Sequence, residues 1–215
     1  MPGLDFLSLL ENEVQAMGDA IATADPEDAV PACPGWAVRD LVGHVVAVHT
    51  WVTATLGQEG PAAFPEERLE GDAQQLAGRY GEAAQALLQR MRELPADAPS
   101  WSFDKADRTA GYWRRRQLHE VSVHRWDLAP YVMDEAVAED GVDEVVGLFI
   151  GRQVARGRVT PPEGSLQLVA PQRTWTVGEG EPVATAEGSA GDLLLSLWGR
   201  KNLLPPVWQD AKLMP

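Results

Sequence analysis

Glu120 and His124 stand four residues apart in the run Tyr112-Trp113-Arg114-Arg115-Arg116-Gln117-Leu118-His119-Glu120-Val121-Ser122-Val123-His124-Arg125-Trp126-Asp127, whose periodicity predicts a helix from about Thr109 to Ala129. At about 100° per residue the two side chains lie roughly 40° apart and point the same way. Measured from Glu120, residues Trp113, Gln117, Val123, His124 and Asp127 fall within roughly 60°, while Arg114, Arg115, Ser122 and Arg125 fall opposite. The acid and the imidazole therefore share the face expected to be buried. A lone buried carboxylate costs several kcal/mol or takes up a proton. Any fold of this chain must satisfy Glu120, either with one of its many arginines or with a divalent metal.

The neighbouring pair His119-Glu120 invites comparison with the HExxH helix of zinc proteases, but the spacing differs. His119 and His124 are five apart, about 140° around the helix, and cannot both grip one ion. Of the remaining histidines, His44 and His49 lie in the predicted helix from Ala37 to Leu56, again five apart. His44 falls on the stripe of Leu41, Val48 and Trp51, and His49 is turned away from it. Such a histidine can be a hydrogen-bonded core residue. Joined to Glu120 and His124, it completes a three-ligand set with an open position, the pattern of catalytic zinc. Asp127, three residues beyond His124, is placed to orient its imidazole or to close an ion pair with Arg125. The contiguous Arg114, Arg115 and Arg116 fan around a helix and read as a solvated face.

Composition narrows the function. A formal net charge of −14 over 215 residues disfavours nucleic acid and anionic membrane as partners. The single cysteine, Cys33, excludes an internal disulfide and any multi-cysteine metal site. Its place near a helix start would favour a thiolate, although most such cysteines are packed residues. The start Met1-Pro2-Gly3-Leu4-Asp5 has no basic region before its apolar run, and the longest uncharged stretch, Leu41 to Gln58, holds two histidines. The expectation is a cytoplasmic protein.

Hydrophobic periodicity predicts helices at about Asp5–Ala24, Ala37–Leu56, Gly71–Glu93, Thr109–Ala129 and Val142–Arg156. After Pro161-Pro162 the pattern becomes short and alternating, with strands expected at Ser165–Val169, Arg173–Val177 and Val183–Glu187. Ser189 followed by Asp192 then opens a helix through Leu197. The expected class is α+β: a helical bundle over residues 1–158 and a small mixed α/β domain over 159–215.

Two segments carry a resemblance. Cys33-Pro34-Gly35-Trp36-Ala37-Val38-Arg39-Asp40-Leu41-Val42-Gly43-His44, and Trp113 through Asp127, resemble the signature motifs of the mycothiol-dependent maleylpyruvate isomerase family, a branch of the DinB-like metal-binding four-helix bundles. Glu187 to Arg200 is similar to the end of that family's C-terminal domain. The resemblance implies zinc held by His44, Glu120 and His124, with mycothiol as the thiol cosubstrate. It also implies an active-site arginine at Arg200, whose guanidinium would fork onto anionic groups. Where the family's first motif usually has a capping threonine, this chain has Ala37. Three lysines against fifteen arginines suggest a GC-rich, actinobacterial host that makes mycothiol.

The activity implied is isomerisation or S-transfer on a small electrophile, with an external thiolate as nucleophile. The alternatives are a zinc-hydroxide hydrolase and a non-catalytic binder of a small ligand or partner.

Overall fold

Helix starts in this chain follow its short polar side chains. Asp5, Asp72 and Thr109 each accept a backbone N–H three residues on, from Ser8, Gln75 and Tyr112, satisfying donors that a helix start leaves unpaired. The helices they open are α1 (Phe6–Ile21), α3 (Ala73–Glu93) and α4 (Ala110–Leu128). The remaining long helix, α2 (Val38–Thr55), begins at Ala37 and keeps half of a capping box: Asp40 Oδ2 accepts the Ala37 N–H at 2.9 Å, and alanine has no oxygen to return. The computed structural model describes residues 3–66, 68–160, 162–211 and 213; Met1, Pro2 and Pro161, which entered the sequence reading, lie outside the described residues.

The chain forms two compact units that divide at Tyr131/Val132. In the first, α1 packs on α3 and α4, and α2 packs on the same two helices, closing a four-helix bundle. Three cross-helix pairs give the direction of α2 against α4. His44 meets Glu120, His49 meets Gln117 and Trp51 meets Trp113, so α2 ascends as α4 descends. One end of the bundle is sealed by aromatic rings. Trp51, Trp101, Phe103 and Trp113 lie 5.4 to 6.2 Å apart centre to centre, and Trp113 Nε1 donates to the Trp101 carbonyl at 2.6 Å.

The two-faced picture of α4 does not hold. Ser122 and Arg116, as well as Leu118, His119 and Val121, are buried, because neighbours cover this helix on more than one side. Arg114, half-buried, donates to the carbonyls of Met91 and Leu94, the last of which caps α3. The arginine run is therefore not a solvated face.

The second unit begins with α5 (Glu135–Glu144), which continues through a π-helical turn (Val145–Phe149) into α6 (Ile150–Ala155). The helix expected from Val142 thus begins seven residues earlier, where the Asp134 carboxylate caps it by accepting from Ala136 and Val137. Strands β1 (Ser165–Val169), β2 (Thr174–Gly178) and β3 (Pro182–Glu187) form one sheet in the order β2-β1-β3, antiparallel for β1/β2 and parallel for β1/β3. Helix α7 (Ala190–Leu197) is capped by Ser189, which accepts the Asp192 N–H. A last short helix, α8 (Pro206–Asp210), buries Trp208 against Gly178.

The division falls earlier than the composition change near 157 to 162. Helix α5 packs on α7, and its Asp143 holds both Arg173, in a fork at 2.6 and 2.7 Å, and the Trp175 indole at 2.9 Å. These contacts tie α5 to the sheet. The class is α+β, with a helical N-terminal region and a small sheet-containing C-terminal one. Among the described residues no helix is long and apolar enough to cross a membrane.

His49 sits fully buried in the bundle, its Nδ1–H donating to Gln117 Oε1 at 2.8 Å. Burial pushes the ring down from 6.5 to about 4, against a smaller opposing effect of the Gln117 bond. Above pH 6.5 the ring is neutral in folded and unfolded chains alike. Between pH 6.5 and 4 the unfolded chain takes a proton that the folded one refuses, so stability falls with pH, by about 3 kcal/mol in all. Denaturant titrations at pH 7.5, 5.5 and 4.5 check this: His49→Gln should lose correspondingly less stability over that range than the parent.

Candidate metal centre

The antiparallel alignment of α2 and α4 brings His44 opposite Glu120, and the one-turn spacing adds His124. Glu120 Oε1 lies 3.3 Å from His44 Nε2 and 3.3 Å from His124 Nε2. The rings of the two histidines stand edge to face, 5.0 Å apart. One donor atom from each of the three residues falls within 4.8 Å of the others. Two imidazole nitrogens and a carboxylate oxygen are a donor set suited to zinc and similar divalent ions.

Electrostatics keep the carboxylate ready. Burial pushes the Glu120 carboxyl up, yet the Arg116 guanidinium and the hydrogen bonds with His124 and His44 outweigh it and hold the group well below the usual carboxylate range. Burial also opposes a charged His124 ring, but its bonds with Asp127 and Glu120 prevail and raise it. Asp127 Oδ2 accepts from His124 Nδ1 at 3.0 Å, which turns Nε2 toward Glu120 and His44. Asp127 is thus the partner of the His124 ring, while Arg125 bonds to Glu13 at 2.8 Å.

A second group of donors, Cys33, His124 and Asp127, shares the His124 ring. Its members already satisfy one another: Cys33 Sγ donates to Asp127 Oδ2 at 3.7 Å, and the same oxygen accepts from His124. The Asp127 side chain has no exposure, whereas that of His44 is 31% exposed. The His44 set is the more exposed of the two. Cys33 is half-buried and engaged with Asp127.

His49 and His119 are both buried and stand outside either donor group. Arg200 lies in the second unit, beyond α7, where its Nη1 donates to the Trp198 carbonyl at 2.7 Å. Two neighbours of the site escaped the sequence reading. Trp36 places its ring 5.2 Å from that of His44. Arg116 contacts Glu120 Oε2. The signal for Arg116 was present: it precedes Glu120 by the same four residues that separate Glu120 from His124.

Residues 7–129 match the family described as Mycothiol maleylpyruvate isomerase N-terminal domain, more than half of the chain. The chain belongs to that family. The match spans both helices that carry His44, Glu120 and His124. Two solved structures of the mycothiol-dependent maleylpyruvate isomerase, one a histidine-to-alanine mutant, share the fold. The mutant has a TM-score of 0.67 at 16% identity over 89% of this chain and 86% of that chain. The other has a TM-score of 0.64 at 16% identity over 91% and 88%. No curated protein matches.

If the three residues hold a metal, His124→Ala should purify with little of it by elemental analysis. His119→Ala should keep parental content. Asp127→Ala should bind the ion about 10- to 100-fold more weakly, the usual cost of losing a partner that orients a ligand. Full occupancy in His124→Ala would remove the site.

Proposed function

We propose that this member of the mycothiol maleylpyruvate isomerase family is an enzyme that adds an external low-molecular-weight thiol, mycothiol, to a small electrophile, with a divalent metal, zinc, held by His44, Glu120 and His124. The observation that supports it is the convergence of those three donors in a chain of this family. When bound, such a metal supplies Lewis acidity and favours the thiolate form of a thiol.

The protein's own contribution is placement. Exposure of the side chains falls from 31% at His44 to 15% at Glu120 and 11% at His124, so a cosubstrate approaches from the His44 side. On that side the Trp36 ring offers an apolar face beside His44. The turn that carries Trp36 is closed by three backbone bonds, Val30 to Trp36, Cys33 to Val30 and Trp36 to Cys33, which keep it rigid. Addition of the thiolate to a conjugated C=C forms a carbon–sulfur bond as the π bond opens, its electron pair passing to the conjugated carbonyl and leaving a single bond free to rotate. Later loss of the thiol after bond rotation gives an isomer, and its retention gives an S-conjugate.

Metal-loaded protein incubated with mycothiol and a panel of electrophiles, followed by mass spectrometry, is the test. Turnover should require the thiol and should survive Cys33→Ala, since Cys33 is engaged with Asp127. Full turnover without any thiol would indicate water as the nucleophile and hydrolysis as the reaction. No turnover with any electrophile, alongside tight thiol binding, would indicate a binder. Arg200 enters this reading through the family resemblance alone. Arg200→Lys keeps the charge and loses the fork, and an anion-binding role gives a fall of about tenfold in kcat/KM, or about 1.4 kcal/mol.

A further inference from the structure

Glu120 has two oxygens with two different neighbours. Oε1 faces the Nε2 atoms of His44 and His124, and Oε2 is in contact with an Arg116 guanidinium nitrogen. Arg116 is itself 94% buried, being 6% exposed. A buried pair of this kind is a costly way to satisfy a carboxylate. An arginine one turn before a glutamate is the less favoured order on a helix, and removing a guanidinium from water costs more than most buried pairs return. A partner for the Glu120 charge alone would also be free to lie across both oxygens. Here a guanidinium nitrogen meets Oε2, whereas Oε1 is the oxygen within 3.3 Å of both histidines.

We propose that Arg116 is a positioning residue that reserves Glu120 Oε2, so that only Oε1 is offered to the metal. The inference rests on the metal reading given above and extends it. A carboxylate held at one oxygen cannot swing to chelate with both, so the ion gains one bond from Glu120 rather than two. That leaves a position for an outside thiol. The two readings first open for Glu120, an arginine partner or a metal, are then compatible, one at each oxygen.

Cobalt(II) in place of the native ion reports ligand number through the intensity of its visible absorption, which falls as ligands are added. The parent should bind cobalt with strong absorption that shifts when mycothiol is added. Arg116→Met frees Oε2, and the absorption should fall at least about threefold, with a smaller thiol-induced shift. Arg116→Lys keeps one donor on Oε2 and should restore most of both signals. Unchanged absorption and thiol response in a folded Arg116→Met protein overturns the proposal. Should that variant fail to fold, the metal-induced infrared difference spectrum of the parent decides. A wide splitting of the Glu120 carboxylate stretches supports one-oxygen binding, and the narrow splitting of a chelating carboxylate overturns it. A parent that binds no cobalt defeats the metal reading and this proposal together, whereas a cobalt-binding parent with an indifferent Arg116→Met defeats this proposal alone.

Discussion

The ionised carboxylate of Glu120, enclosed near the middle of a helical bundle, is the constraint around which the first unit is organised. Left alone it would cost several kcal/mol or neutralise. Four side chains from two helices meet this demand: Arg116 at one oxygen, His44 and His124 at the other, and Asp127 behind His124. Each of these is then obliged to stay where it is. Arg116 is buried only because Glu120 is there to receive it, and Asp127 has a use only because the His124 ring needs its second nitrogen held. The arrangement draws its strength from charge and hydrogen bonding at low dielectric, where a complete set is strong and an incomplete one is costly.

Such a polar centre needs rigid support, and the aromatic rings two helical turns away supply it. Trp51 is seven residues from His44 on α2, and Trp113 is seven residues from Glu120 on α4. Seven residues is close to two turns, so each tryptophan lies on the same helix face as its polar counterpart. The rings pack edge to face at 5.4 Å and hold the helices at a fixed separation. The polar groups two turns along inherit that separation, and with it the 3.3 Å approaches between His44, Glu120 and His124. The polar centre and the aromatic packing are thus different parts of one pair of helices.

Which features could be read from the chain depended on whether they were local. Periodicity located all four long helices to within about three residues, and β1 to the residue, since these patterns live in consecutive side chains. The three donors were also legible, because i,i+4 spacing joins Glu120 to His124 and His44 faces them from α2, although the stripe argument was reversed in burial: His49 is the fully buried ring and His44 the part-exposed one. Long-range packing was not. That α4 would be covered on more than one side, burying Ser122 and drawing Arg116 inward, depends on α1, α2 and α3 arriving together. The start of α5 is hidden because its Val137, Ala138 and Val142 are spread among acids in Glu135-Ala136-Val137-Ala138-Glu139-Asp140-Gly141-Val142, a weak stripe whose partner, α7, starts more than fifty residues after α5 does. Trp36 and Cys33 come from a turn, and turns carry no periodicity to say what they will face.

The order of charges along α4 also determines how it can sit against α2. Arg116, Glu120 and His124 follow one another at one-turn intervals, and Asp127 ends the line. If α4 slipped by one turn, His44 would face either Arg116 or His124. The first brings a permanent cation against an imidazole, and the second pairs two imidazoles with no acid between them. Glu120 would move at the same time toward the apolar part of α2, and the His49–Gln117 bond at 2.8 Å would break. Apolar ridges alone would tolerate such a slip, because one leucine or valine packs much as another does. The buried charges do not, since only one register satisfies Glu120. The residues that offer a place for a metal therefore also select the alignment that creates it, at a cost in stability that a wholly apolar interface would avoid.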